Sequence, residues 1–114
     1  MSIEETIRNY LDGQLTCPVW LEIPKGTTIP KKYVLVQKTS GGRKNHIGSA
    51  VIALQSYGES LLEAMDLNEE VKTAMDGLIV LSSVSKAALN SDYDFTDTQT
   101  KEHRYQAVYD ITHY

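Results

Sequence analysis

The 114-residue sequence has a single cysteine, Cys17, and no apolar run long enough to cross a membrane. A lone cysteine excludes an internal disulfide, which fits a reducing compartment or one where cysteine has no structural role. A membrane-spanning helix needs about 20 mostly apolar residues, so we expect none. The N-terminal segment MSIEETIRNY lacks a basic region and an apolar core. We therefore expect no signal peptide, and synthesis in a cytoplasm.

Positive charge, phenylalanine and tryptophan are also scarce. The chain has 11 Lys and Arg against 15 Asp and Glu, a net charge of −4. A general nucleic-acid binder needs a clustered basic face, so the balance disfavours that class. Seven tyrosines stand against one phenylalanine and one tryptophan. Tyrosine suits strands, and it also suits surfaces buried on association, so both interpretations stay open.

No arrangement of residues predicts catalysis, a cofactor or a metal. Three histidines, His46, His103 and His113, lie too far apart in sequence to mark a metal site. Cys17 has no histidine near it in sequence and directly precedes Pro18, so burial is expected rather than nucleophilic use. We therefore predict that the chain is not an enzyme.

Two further segments partly match the sequence patterns of known ligand sites. Asp92 and Asp94 open a calcium-loop-like pattern, but Asp97 replaces the required glycine and His103 the bidentate glutamate. The segment 40–45 is rich in glycine and basic residues but precedes a predicted strand. A phosphate cradle instead needs a following helix N-terminus. We interpret both segments as polar hairpin loops.

The stretch Gly48–Leu78 organises the predicted fold. The strand His46–Tyr57 has apolar residues on both faces, which is typical of a central strand covered on both sides, at least over its middle. On this basis we expect Val51→Asp to unfold the chain. Gly58 makes a turn into a long amphipathic helix that reaches Leu78, and two overlapping capping boxes leave its start open.

The rest of the chain supplies one more helix and four strands. Ser2 begins a capping box before an amphipathic helix that ends ahead of Cys17-Pro18. The other predicted strands are Val19–Ile23, Tyr33–Lys38, an irregular bulged strand within Ile79–Tyr93, and Arg104–His113. Polar loops are predicted at Thr39–Asn45, Asn90–Lys101 and Pro24–Lys32. This order, α-β-β-β-α-β-β, predicts one α+β domain over residues 1–114. Its antiparallel or mixed sheet has about four to five strands, with both helices on one face.

The organising stretch and the last strand carry a resemblance to a known family. The strand ends in Gln55-Ser56, the helix follows with Glu63-Ala64 and apolar positions through Val71, and the chain closes on RYQAVYDI at residues 104–111. This pattern and element order resemble the tail terminator proteins (tail completion, head–tail joining) of long-tailed bacteriophages and prophages.

The resemblance implies a structural role without catalytic residues. Such a subunit forms a homo-oligomeric ring, usually of six, that caps the tail tube, ends its polymerisation and joins the tail to the head connector. The implied partners are other copies of the chain, the major tail-tube protein and a head-closure protein, with phage DNA only passing through the channel and no membrane involved. A head-closure or connector neck protein is the alternative, followed by a small ligand-binding or hydrolytic α+β domain.

Assembly contacts are expected on the two predicted loops beside the sheet. The candidate residues are Arg43, Lys44, Asn45, Asp92, Tyr93, Asp94 and Phe95. Loops commonly carry binding contacts on a rigid scaffold. We expect the loops Thr39–Asn45 and Asp92–Lys101 to be mobile in the free subunit and to become ordered on assembly.

Overall fold

The computed structural model describes residues 2–25 and 28–114, which form two helices and a five-stranded sheet. The elements are helix α1 (Ile3–Gln14), strands β1 (Val19–Trp20), β2 (Tyr33–Lys44) and β3 (Ile47–Gly58), helix α2 (Leu61–Met75), a 3₁₀ turn (Leu78–Val80), and strands β4 (Val84–Asp94) and β5 (His103–His113). The predicted α+β class and order of elements are confirmed. The predicted loop Pro24–Lys32 includes residues 26 and 27, which lie outside the described residues.

The sheet is mixed, and β3 lies at its centre. The strand order is β1-β2-β3-β5-β4, with β1 parallel to β2 and every other pair antiparallel. β3 pairs along its whole length with β5, from Gly48 opposite His113 to Gly58 opposite His103. The prediction that this strand is central is therefore confirmed.

Both helices cover the same face of the sheet. The side chains of Ile52 and Leu54 in β3 and of Ile111 in β5 point to this face and are almost fully buried against the helices. α1 lies against β1 and β2, whereas α2 lies against β3 and β5. Neither helix contributes to the apolar cluster on the opposite face in the described part of the chain, so it is called the helix-free face below.

Capping fixes where each helix begins. Ser2 and Glu5 form the predicted reciprocal capping box, and the backbone N–H of Glu5 donates to Ser2 Oγ at 3.2 Å. Ser60 caps α2 through the N–H of Glu63 at 3.1 Å, which resolves the choice that the sequence left open. Tyr10 ties the helices together, because its hydroxyl donates to the Ala74 carbonyl at 2.7 Å.

The prediction of a loop at Thr39–Asn45 is wrong. β2 continues to Lys44, because β3 offers an antiparallel partner for nearly every residue up to Ile47. A register shift at Thr39 absorbs the irregularity. The real turn is Asn45-His46, whose φ angles of 52° and 66° suit a two-residue hairpin.

The predicted acidic loop Asn90–Lys101 also starts too early. β4 runs to Asp94, which pairs with Tyr105 of β5, so the connection begins only at Phe95. The predicted bulging is confirmed, since the β4 register shifts before Lys86 and again before Ser91. The predicted strand Val19–Ile23 is wrong beyond Trp20, where β1 ends.

The helix-free face of β3 is covered over only half its length. Ala53, Gln55 and Tyr57 are buried there, but Val51 is only half-buried and Ile47 is 44% exposed. Coverage on both sides therefore holds for the half of β3 near α2's start. Val51→Asp was expected to unfold the chain because both faces of the strand were predicted to be covered. That prediction is wrong at Val51.

Candidate assembly surfaces

The outer half of β2 is exposed on both faces and along its edge. β1 pairs only with Val34 and Leu35, so β2 has no outer neighbour from Val36 onward among the described residues. Residues 39–44 are all exposed, and with the turn Asn45-His46 they form the free half of β2. Exposed strand edges are templates for pairing with another chain, so this edge is a candidate contact surface.

The free half of β2 lies in the basic part of the chain. Six Lys and Arg and no Asp or Glu occur between Lys25 and Gly58. Arg43 and Lys44 form no ion pair with any residue in the described ranges. Lys38 extends over Gly41, toward the hairpin turn. Lys38, Arg43 and Lys44 therefore place positive charge at this edge with no ion pair in the described ranges, whereas Lys32, before β2, pairs with Glu70.

The opposite edge of the sheet is acidic and is tied to α2. Lys72 of α2 donates to Asp92 of β4 at 2.8 Å and contacts Glu69 at 2.9 Å. Asn68 donates to the same Asp92 oxygen at 3.1 Å. Hydrogen bonds to these two carboxylates, Asp92 first, raise the pKa of Lys72. Asp92 was predicted as a loop contact, but it instead holds β4 against α2.

Further acids and exposed apolar side chains surround this tie. Nine Asp and Glu against two Lys occur between Glu59 and Asp97. Helical spacing places Glu69 and Asp76 on the same flank of α2 as Lys72. Met65 of α2 and Leu89 of β4 are 41% and 45% exposed. We call β4 together with this flank of α2 the acidic edge.

A row of amides crosses the helix-free face, and sequence reasoning missed it. The Gln55 amide donates to Gln106 at 2.9 Å and to Gln37 at 3.3 Å, and Gln106 donates to the Tyr93 hydroxyl at 2.6 Å. The row links four strands, and Gln55 and Gln106 are buried. Glutamines at same-face strand positions were the available signal. The candidate Tyr93 therefore belongs to this row rather than to a loop.

Aromatic rings and Arg104 close one end of the same face. Tyr33 stacks on Tyr57 with ring centroids 4.3 Å apart, and Trp20 lies against Tyr33 at 5.1 Å. The Arg104 guanidinium lies 4.5 Å from the ring centroid of Phe95 and donates to the Phe95 carbonyl at 2.6 Å. The candidate Phe95 is thus packed against the subunit's own β5.

Asp94 shapes the start of the β4–β5 connection. Its carboxylate accepts hydrogen bonds from the Thr96 hydroxyl at 2.6 Å and the Thr96 N–H at 2.9 Å. These bonds lower the pKa of Asp94. Of the seven candidate residues, only Arg43, Lys44 and Asn45 therefore combine exposure with no side-chain tie to the rest of the described chain.

Burial of two tyrosines predicts a loss of stability in alkali. Burial raises the pKa values of Tyr33 and Tyr109 to about 12 each, above the value of about 10 in an unfolded chain. The folded state therefore keeps both protons longer, and stability falls as the pH rises from about 10 toward 12. We expect Tyr33→Phe to flatten this fall, measured by urea unfolding at pH 9 to 11. An unchanged pH slope would contradict the assignment.

The cysteine and histidines that were weighed as catalytic or metal-binding groups lie apart in the structure. Cys17 is buried, and burial raises the pKa of its thiol. His46 lies in the hairpin turn, whereas His103 pairs with Gly58 at the other end of β3. His103 lines a shallow cleft of about 400 Å³, and a second cleft of about 540 Å³ lies between α1 and α2. Within residues 2–25 and 28–114, no three metal-ligating side chains converge.

Comparisons with protein-family models and with curated proteins identify no relative of the chain. No protein-family model matches the chain, and no curated protein is significantly similar to it. None of the described helices is both long and apolar enough to span a membrane. The two edges of the sheet and the resemblance noted in the sequence are therefore the features that bear on function.

Proposed function

We propose that the chain is the tail terminator subunit of a long-tailed bacteriophage or prophage. Copies of it form a ring, most simply of six, that caps the tail tube, ends its polymerisation and joins it to the head connector. The subunit would work in the virion neck after synthesis in the host cytoplasm. The major tail-tube protein and a head-closure protein are its proposed partners.

The observation that carries this proposal is the difference between the two edges of the sheet. A ring of identical subunits needs heterologous contacts, in which one surface of each copy meets a different surface of the next. The basic free half of β2 and the acidic edge are two such surfaces on opposite sides of one rigid sheet. The order of elements and the segments 51–71 and 104–111 add the family resemblance.

The direct test is tube capping. Purified tail-tube protein from the same phage is polymerised with and without the chain, and tube lengths are measured by negative-stain microscopy. We expect shorter tubes with a ring at one end, because a bound ring blocks subunit addition. Light scattering on the chain without tube protein gives the mass of its assembly in solution.

Two controls make the result specific. An unrelated folded protein of similar size and charge should leave tube length unchanged. Tubes that grow to the same length with and without the chain would overturn the proposal. Binding to purified head connectors without any effect on tubes would instead favour a head-closure protein.

A further inference from the structure

We propose that the free half of β2 in one copy docks on the acidic edge of the next copy, so that the sheets continue from subunit to subunit. The inference rests on the proposed function only for closure of the contact into a ring. The partner is a second copy of this chain, and four features of the two edges identify it.

The first feature is charge. Arg43 in the free half of β2 pairs with Gly48, and Lys38 just before it pairs with Ile52, and both β3 partners face the helices. Residues paired across a ladder share a face, so both cations lie on the helix-covered side of the sheet. On that same side, toward the opposite edge, Glu69 lies in α2, where it also contacts Lys72, and Asp76 caps the end of α2.

The second feature is strand direction. β2 and β5 are both antiparallel to β3, and β4 is antiparallel to β5, so β2 and β4 run in opposite directions. If two copies sit side by side with their helices on the same side, β4 of one lies antiparallel to β2 of the next. Antiparallel pairing is the more favourable arrangement.

The third feature is length. The unpaired outer edge of β2 spans residues 36–44, about 30 Å at roughly 3.3 Å per residue. β4 has 11 residues, so its outer edge is at least as long. β1 occupies only the start of β2 and leaves the rest accessible.

The fourth feature is the exposure of both edges. Long unpaired edge strands promote uncontrolled association, and soluble proteins usually shorten, bulge or cover them. Here β1 covers one edge over two residues only, and β4, although bulged at two positions, has no outer neighbour in the described part of the chain. Apolar Leu89 and Met65 are also exposed at the acidic edge. A neighbouring copy would cover the backbone and these side chains together.

Two charge-reversal variants test the contact. Variant A is Lys38→Glu with Arg43→Glu, and variant B is Glu69→Lys with Asp76→Lys. All four positions are exposed. Asp92 is left unchanged because it holds Lys72. Circular dichroism and thermal melting are used first to check that both variants fold.

Self-association is measured by sedimentation velocity over a concentration series at low and high salt. We expect wild-type association that weakens with salt, and each variant alone should associate at least about tenfold more weakly because like charges then meet. An equimolar mixture of A and B should recover association to within about threefold of wild type, since every contact between A and B is again complementary.

Lys25→Glu, an exposed charge reversal away from both edges, is the matched control and should associate as wild type does. A wild-type chain that stays monomeric at its highest soluble concentration overturns the inference, as does a mixture that fails to recover. Recovery without tube capping would leave the contact standing and remove the proposed function. Tube capping that variants A and B leave unchanged would support the proposed function and overturn the proposed contact.

Discussion

Ile52→Asp is expected to leave the chain unfolded at room temperature. Ile52 is fully buried at the centre of β3, between Lys38 of β2 and Tyr109 of β5, and its side chain packs under the helices. A carboxylate there loses its water and gains no partner, and the lost packing adds to the cost. We expect a loss of about 5 kcal/mol or more, comparable with the whole stability of a small domain.

The neighbouring residue provides the control for this prediction. Val51 is half-buried on the helix-free face, opposite Ser40 and Asp110. Val51→Asp keeps access to water, so the variant should fold, with a modest loss from repulsion by Asp110. Far-ultraviolet circular dichroism and urea unfolding distinguish the two variants. A folded Ile52→Asp or an unfolded Val51→Asp would contradict the placement of the helices on one face.

Gly58→Ala is expected to be the most damaging substitution that adds a single methyl group. A Cβ on Gly58 would lie 2.7 Å from the Ala64 backbone nitrogen and 3.0 Å from the Glu63 carbonyl carbon. These atoms belong to the first turn of α2, which can yield only by moving the whole helix away from β3. We expect a loss of about 3 kcal/mol from this overpacking.

Gly13→Ala is the matched control, because the same methyl group there meets nothing within 4 Å. Gly13 lies in the last turn of α1, where alanine is the better helix former, so a gain of about 0.5 to 1 kcal/mol is expected. Thermal melting of the pair should therefore show shifts of opposite sign. A Gly58→Ala protein as stable as wild type would mean that α2 does not approach β3 this closely.

The sequence identified the central unit of the fold because several local signals agreed there. The apolar run of β3, the caps at Ser60 and the helical stripe through Val71 all indicate the same strand–turn–helix unit, and the structure confirms it. The outer half of β2 was missed because it is polar and contains Gly41-Gly42, which locally favour a turn. Its strand conformation is imposed by pairing with β3, a long-range effect that local sequence does not contain.

The structure places the candidate contact residues in different surroundings. Arg43 and Lys44 are exposed and form no ion pair with an acid among the described residues, as a contact surface requires. Asp92 and Tyr93 were expected in a loop, but they are held by α2 and by the amide row. Both ties join residues at least 13 positions apart, so only the folded sheet reveals them.

The separation of charge along the sheet also bears on how fast subunits meet. A molecule with its cations at one edge and its acids at the other has an electric dipole across the strands. Two such molecules turn each other as they approach, which brings unlike edges together before any contact forms. Long-range steering of this kind speeds encounter and weakens as salt shortens the reach of the field. Electrostatic steering would thus favour the proposed contact through the rate of encounter as well as through the fit of the two edges.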